Sequence, residues 1–130
     1  MRYHPDLKMI TWHPSGILDN VILDQIFAFI QMQDQVAGAP PFNRFVDLSG
    51  LSAIRLELGH MFDATVRHRE RQHSRELVKS AIFCDKVVGL GIAKMYETLM
   101  KGSSLQVQAF SERGAAAGWL GVPLEHLLDK

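Results

Sequence analysis

The stretch Val78-Lys79-Ser80-Ala81-Ile82-Phe83-Cys84-Asp85-Lys86-Val87-Val88-Gly89-Leu90-Gly91-Ile92-Ala93-Lys94-Met95-Tyr96 decides the fold class. Its first part, within 77–84, ends in the apolar run Ala81-Ile82-Phe83-Cys84, which has the look of a buried central strand. Asp85 then stands where a helix N-cap is wanted. Val88, Gly91/Ile92, Met95 and Leu99 share one helical face, while Lys94, Glu97 and Lys101 lie elsewhere. Gly102 sits just past the end, where a left-handed residue suits a helix stop. Leu105, Val107 and Ala109 alternate with Gln106 and Gln108, a strand with one apolar face. Strand, helix and strand in this order make a parallel crossover unit.

The same alternation extends upstream and downstream. Residues 7–12 read as a strand with Leu7, Met9 and Thr11 on one face, closed by turn chemistry at His13-Pro14-Ser15-Gly16. From Leu18 to about Gln33 the apolar positions 18, 21, 22, 26, 29 and 30 have helical spacing, with Asp19 as N-cap or first-turn carboxylate. Gly38-Ala39-Pro40-Pro41 is a connector, and 42–48 is a strand broken by Ser49-Gly50. A second helix is expected to start near Ser52, with its apolar stripe ending at Val66 and a solvated polar tail over 67–76. Ser111 is placed to cap a last helix over 112–120, which Gly121 and Pro123 stop. The tail from Glu125 is expected to add a helical turn. The chain is therefore read as one α/β domain over 1–130 with a mostly parallel sheet.

Composition excludes several function classes. The chain has 130 residues, 47% hydrophobic and 22% charged, so it suits a single globular domain rather than a disordered segment. Lys plus Arg and Asp plus Glu are both 14, and a zero net charge argues against a dedicated nucleic-acid or anionic-membrane binder. The lone Cys84 permits neither an intramolecular disulfide nor a cysteine zinc site. No apolar run approaches the roughly 20 residues of a membrane span, and no signal-type apolar region follows the first charges. A cytoplasmic setting without membrane insertion is the expectation.

The chemical motifs are weak. Gly89-Leu90-Gly91 begins like a dinucleotide fingerprint but lies inside the helix, so close helix packing outweighs phosphate binding. Glu57 and His60 have the i, i+3 spacing of a carboxylate–histidine ligand pair, but only once, so histidines in solvent or local bonds outweigh a metal. His68 and His73 are read the same way. Arg67, Arg71 and Arg75 would share a helical face, yet interleaved aromatics are missing and a solvated helix end outweighs phosphate binding. No serine elbow is present, and Cys84 reads as a small buried hydrophobe. Position then supplies the best argument, since open α/β sheets bind ligands beyond the carboxyl ends of their strands. Those ends offer Asp47, Ser49, Gly50 and Ser52, then Asp85 and Lys86, then Ser111 and Arg113, with capping the stronger reading for Asp85 and Ser111.

Phe45-Val46-Asp47-Leu48-Ser49-Gly50-Leu51-Ser52-Ala53-Ile54 resembles the strand–turn–helix signature of STAS domains, the anti-sigma-factor-antagonist fold. Ala81-Ile82-Phe83, the run from Val88 to Glu97, Val107-Gln108-Ala109-Phe110 and Ala116-Ala117-Gly118-Trp119-Leu120 resemble its SpoIIAA-like group, over about residues 8 to 121. The resemblance implies four or five strands with helices packed mainly on one side. It also implies a non-enzymatic binding or regulatory module. In antagonists of this family a serine opens the helix after this stretch and is phosphorylated. Leu56 aligns with that serine here and Arg55 with the acid before it, so the switch is expected to be absent. The group is also similar in fold to CRAL-TRIO lipid-binding domains. That similarity implies an alternative, a carrier or sensor of a small apolar ligand, with Met61, Phe62, Phe83, Met95, Tyr96 and Met100 as pocket candidates. Ordinary core packing outweighs that role for most of them, Tyr96 excepted because a buried hydroxyl needs a polar partner.

The expectation is thus a module that binds another protein or itself, through Asp47, Ser49, Gly50, Ser52, Arg55, Asp85, Lys86, Tyr96 and Ser111. No catalytic residue, metal or cofactor is predicted. A homodimer is predicted from the apolar excess of Ile22, Leu23, Phe27 and Ala28 on the first helix.

Overall fold

A computed structural model describes residues 2–34, 42–70 and 77–128. In chain order the elements are β1 (Arg2–His4), β2 (Met9–Trp12), β3 (Gly16–Asp19), α1 (Asn20–Asp34), β4 (Asn43–Asp47), β5 (Leu51–Arg55), α2 (Leu58–Glu70), β6 (Val78–Phe83), α3 (Val87–Leu99), β7 (Leu105–Phe110), α4 (Arg113–Leu120) and α5 (Glu125–Leu128). A five-stranded sheet runs β1-β2-β4-β6-β7, and β3 pairs with β5 in a separate two-stranded ribbon. Only β1 is antiparallel within the larger sheet, and β3–β5 is parallel.

The parallel strands are added in one direction, from β2 to β7. Right-handed crossovers that never reverse direction place every connecting helix on the same face. So α1, α2 and α3 share one face, where Phe27, Met61, Ala64, Ala93, Tyr96 and Met100 meet Val78, Ile82 and Leu105. The two short helices α4 and α5 cover the other face, packing Ala116, Ala117, Leu120 and Leu127 on Met9, Phe45, Ala81, Phe83 and Phe110. Strand alternation sorts these residues, since Ile82 faces the long helices while Ala81 and Phe83 face α4 and α5. The edge strand β7 is guarded where the Ala109 amide donates to Glu97 Oε1 at 2.9 Å.

Several boundaries differ from the sequence reading. The segment 51–55 is a strand rather than the first turn of a helix, and α2 begins at Leu58. The tail of α2 is not all in solvent, because His68 is buried at 1% exposure. Its ring stacks on Phe27 at 4.4 Å between centroids. Asp19 does cap α1, its Oδ1 accepting from the Ile22 amide at 2.9 Å. Asp85 and Ser111 do not cap: Lys86 and Glu112 occupy the N-cap positions of α3 and α4, neither with a side-chain cap bond. Gly121 closes α4 at φ 73°, a conformation in which a Cβ is costly. The connector at 38–41 and the arginine-rich segment at 71–76, with His73, lie outside the described residues.

Candidate functional site at the carboxyl ends of the strands

Three places gather the polar and apolar groups singled out above. The first is an ion pair between a buried carboxylate and a part-exposed guanidinium. Asp47 ends β4 at 4% exposure. Its Oδ1 accepts from the Ser49 amide at 2.9 Å and the Ser49 hydroxyl at 2.6 Å. Its Oδ2 accepts from Arg113 Nε at 2.9 Å, and Arg113 Nη2 donates to Ser49 Oγ at 2.9 Å. Arg113 opens α4 and lies over the Phe83 ring at 4.3 Å. Burial pushes the Asp47 pKa up, but the Ser49 hydroxyl and amide and the Arg113 guanidinium outweigh it and hold the pKa below the ordinary 3.8. His13 stands alongside, its Nε2 donating to the Leu127 carbonyl at 2.8 Å and lying 3.8 Å from Asp47 Oδ2. A carboxylate of lowered pKa is a weak base, and the Ser49 hydroxyl points its proton at it. As arranged, the cluster fastens the turn after β4 to the start of α4.

The second place is a groove of about 300 Å³ beside this cluster, between β5 and the start of α3. Ser52 and Lys86 line it, with Leu51, Ala53, Ile54, Cys84, Val87 and Val88. Lys86 Nζ donates to the Ser49 and Leu51 carbonyls, both at 3.2 Å, so it ties the groove to the ion pair. Val87 and Val88 are 88% and 64% exposed on its lip. Gly89 packs against Cys84, and a Cβ there would collide with Cys84 Sγ, whereas a Cβ on Gly91 meets nothing. The close-packing reading therefore holds for Gly89 and not for Gly91.

The third place is an apolar pocket of about 100 Å³, open on one side, between the long helices and the sheet. Tyr96 lines it, buried and 5.9 Å from Phe27 between ring centroids. Met61 also lines this pocket. The other pocket candidates do not: Phe83 packs on the opposite face, Met95 and Met100 join the core, and Phe62 is exposed.

The fold thus brings Asp47, Ser49, Ser52 and Lys86 together and leaves Tyr96 apart. Gly50 is exposed in the turn after β4, and a Cβ on it would sit 3.1 Å from the Pro14 carbonyl. Arg55 is exposed at the end of β5, and Asp85 and Ser111 are exposed beside α3 and α4. His60, raised above as half of a ligand pair, contacts Asp24 at 2.9 Å instead. Sequence reasoning missed His13 and the role of Arg113 as the partner of Asp47. It also missed His68, although Met61, Ala64, Thr65 and His68 form a buried stripe at helical spacing. Among the described residues no helix is long and apolar enough to cross a membrane. Comparisons with protein-family models, curated proteins and solved structures return no match to the chain.

Proposed function

We propose that the chain is a STAS-like, non-enzymatic binding or regulatory module of the cytoplasm that docks a protein partner or a second copy of itself. The observation that carries this reading is the exposure of Val87 and Val88 on the lip of the carboxyl-end groove. Large apolar side chains held in water beside a groove are what a partner surface covers. Leu58 and Phe62, one turn apart on α2, add to the apolar exposure near the helix starts. The phospho-serine switch is left out of the proposal. Leu56, at the position of the family's serine, has no hydroxyl, and it is half-buried in the wall of the apolar pocket.

The test is capture of a partner from the source cell by the tagged chain and by a Val87→Asp, Val88→Asp double variant. The variant is expected to keep the wild-type circular dichroism and Tm and to lose at least tenfold of the captured partner. Equal capture by a folded variant contradicts the proposal.

A second reading, a carrier of a small apolar ligand, is favoured by the apolar pocket under the long helices. Among the described residues its walls are Leu, Ile, Val, Phe, Trp, Met and Ala, with Arg44, Ser80 and Tyr96 as polar exceptions. A few polar groups in a mostly apolar pocket are the usual make-up of a small-molecule site.

A further inference from the structure

One wall of the groove between β5 and α3 is a strand edge. Leu51, Ser52, Ala53 and Ile54 line it, four consecutive positions of β5. Successive strand side chains point to opposite faces, so a space that meets four in a row runs along the edge of the strand. β3 pairs with the other edge, and none of its residues is among the described residues that line the groove. Outside the β3–β5 ribbon, the backbone bonds of β5 among the described residues are at Leu51. Its amide donates to the Leu48 carbonyl at 3.2 Å, and its carbonyl accepts from Lys86 Nζ. Over 52–55 the edge facing the groove makes no backbone bond among the described residues. A ribbon of two strands is marginal by itself, and an open strand edge is a template for a further strand.

We infer that this edge takes an extended segment of a partner protein as a third strand, with apolar side chains against Val87 and Val88 and acidic residues at its ends. The inference rests on the docking reading above and gives the partner a shape and a charge. In strand addition the main-chain bonds supply affinity, and surfaces beside the edge select alternate side chains. The exposed Val87 and Val88 are such a surface. Both ends of β5 are cationic. Lys86 is the charged residue among the described residues of the groove, and its bond to the Leu51 carbonyl holds it at one end. Arg55 is exposed at the other end. Among the described residues neither cation is in an ion pair, and the acids nearest in sequence, Asp85 and Glu57, are not bonded to them. The same charges disfavour a second copy at this edge. Two-fold pairing of β5 with itself runs antiparallel and sets Arg55 of one protomer beside Lys86 of its partner, and like charges opposite one another are destabilising.

The test selects a displayed library of random ten-residue peptides on the full chain and counter-selects it on the Val87→Asp, Val88→Asp variant. The enriched peptides are expected to alternate apolar residues and to carry Asp or Glu at their ends. At saturation the best of them should slow amide hydrogen exchange within 52–55 at least tenfold. Methylating alternate backbone nitrogens of that peptide should abolish binding, while methylation of the nitrogens between them is tolerated. Arg55→Glu, a change at an exposed position, should weaken binding at least threefold. Peptides that need Val87 and Val88 but leave exchange in β5 unchanged overturn the strand assignment and leave the docking reading standing. Enriched peptides with basic ends overturn the charge assignment. A library that yields no peptide dependent on Val87 and Val88 overturns the inference, and the capture experiment above then decides the docking reading. Slowed exchange in β5 without peptide, in a chain that sediments at twice its mass, gives the edge to a second copy and overturns the choice of partner.

Discussion

Asp47 is a carboxylate taken almost wholly out of water, and its surroundings determine what that costs. Two donors from Ser49 and one from Arg113 replace its hydration. Hydrogen bonds to a charged group contribute about 1.5–3 kcal/mol, more than neutral ones, and removing one partner strands the other. Asp47→Asn is therefore expected to lower unfolding stability at neutral pH by about 1–3 kcal/mol. The sign of its pH dependence follows from the pKa direction. The folded pKa lies below the ordinary 3.8, so as pH falls the unfolded chain takes up the proton first. The stabilisation is complete above that ordinary value and is lost as pH falls through the folded pKa. Denaturant titrations should show the gap between wild type and Asp47→Asn narrowing in that acid window. A gap that stays constant down to acid unfolding contradicts the assignment of the charge. Asp47 and Ser49 were legible in the sequence, because a polar pair directly after an apolar strand marks a strand end. Arg113 as their partner was not, since 66 positions separate it from Asp47 and only the parallel stacking of β4, β6 and β7 brings them together.

At the scale of elements, the contrast between Gly89 and Gly91 tests how α3 meets the sheet end. Gly89→Ala drives a methyl into Cys84 Sγ, and overpacking of this kind costs about 1–3 kcal/mol. Gly91→Ala meets open space and gains helix propensity, about 0.8–1.0 kcal/mol at most. The two variants should move the thermal midpoint in opposite directions, and adding Cys84→Ala to Gly89→Ala should recover part of the loss. Equal shifts for both glycines contradict the packing described. The long amphipathic helices and β7 were readable from period, and β6 from its apolar run. β3 and β5 were not. Gly16-Ile17-Leu18-Asp19 and Leu51-Ser52-Ala53-Ile54-Arg55 are too short to show alternation, and Ser52 imitates a helix cap. Each pairs with a strand 35 to 36 positions away, with a register shift between Gly16 and Ile17, which no local pattern records. The sequence window around His68 misled for a different reason. Arg67, Arg69 and Glu70 are exposed on either side of it, and their charge hides a single inward position.

For the whole molecule, the one-directional strand order has a functional consequence. Open sheets offer a ligand crevice where the strand order reverses, and the order β2-β4-β6-β7 contains no reversal. The carboxyl edge instead carries an ion pair that fastens its loops and a groove beside β5. A groove with exposed valines on its lip suits a partner surface better than a small substrate. The homodimer expected from α1 stands as one form of that proposal, although Leu23 and Phe27 are spent in the core and, among the described side chains of α1, the exposed apolar ones are Val21, Ala28 and Met32. The most direct test of the docking surface is site-specific photo-crosslinking in the source cell. A photoreactive residue replaces Val87 in one chain and Gln106, exposed on β7, in another. The account predicts a discrete adduct from position 87 and none from 106, and a band at twice the chain's mass identifies the second copy. No adduct from position 87, or the same adducts from both positions, contradicts it.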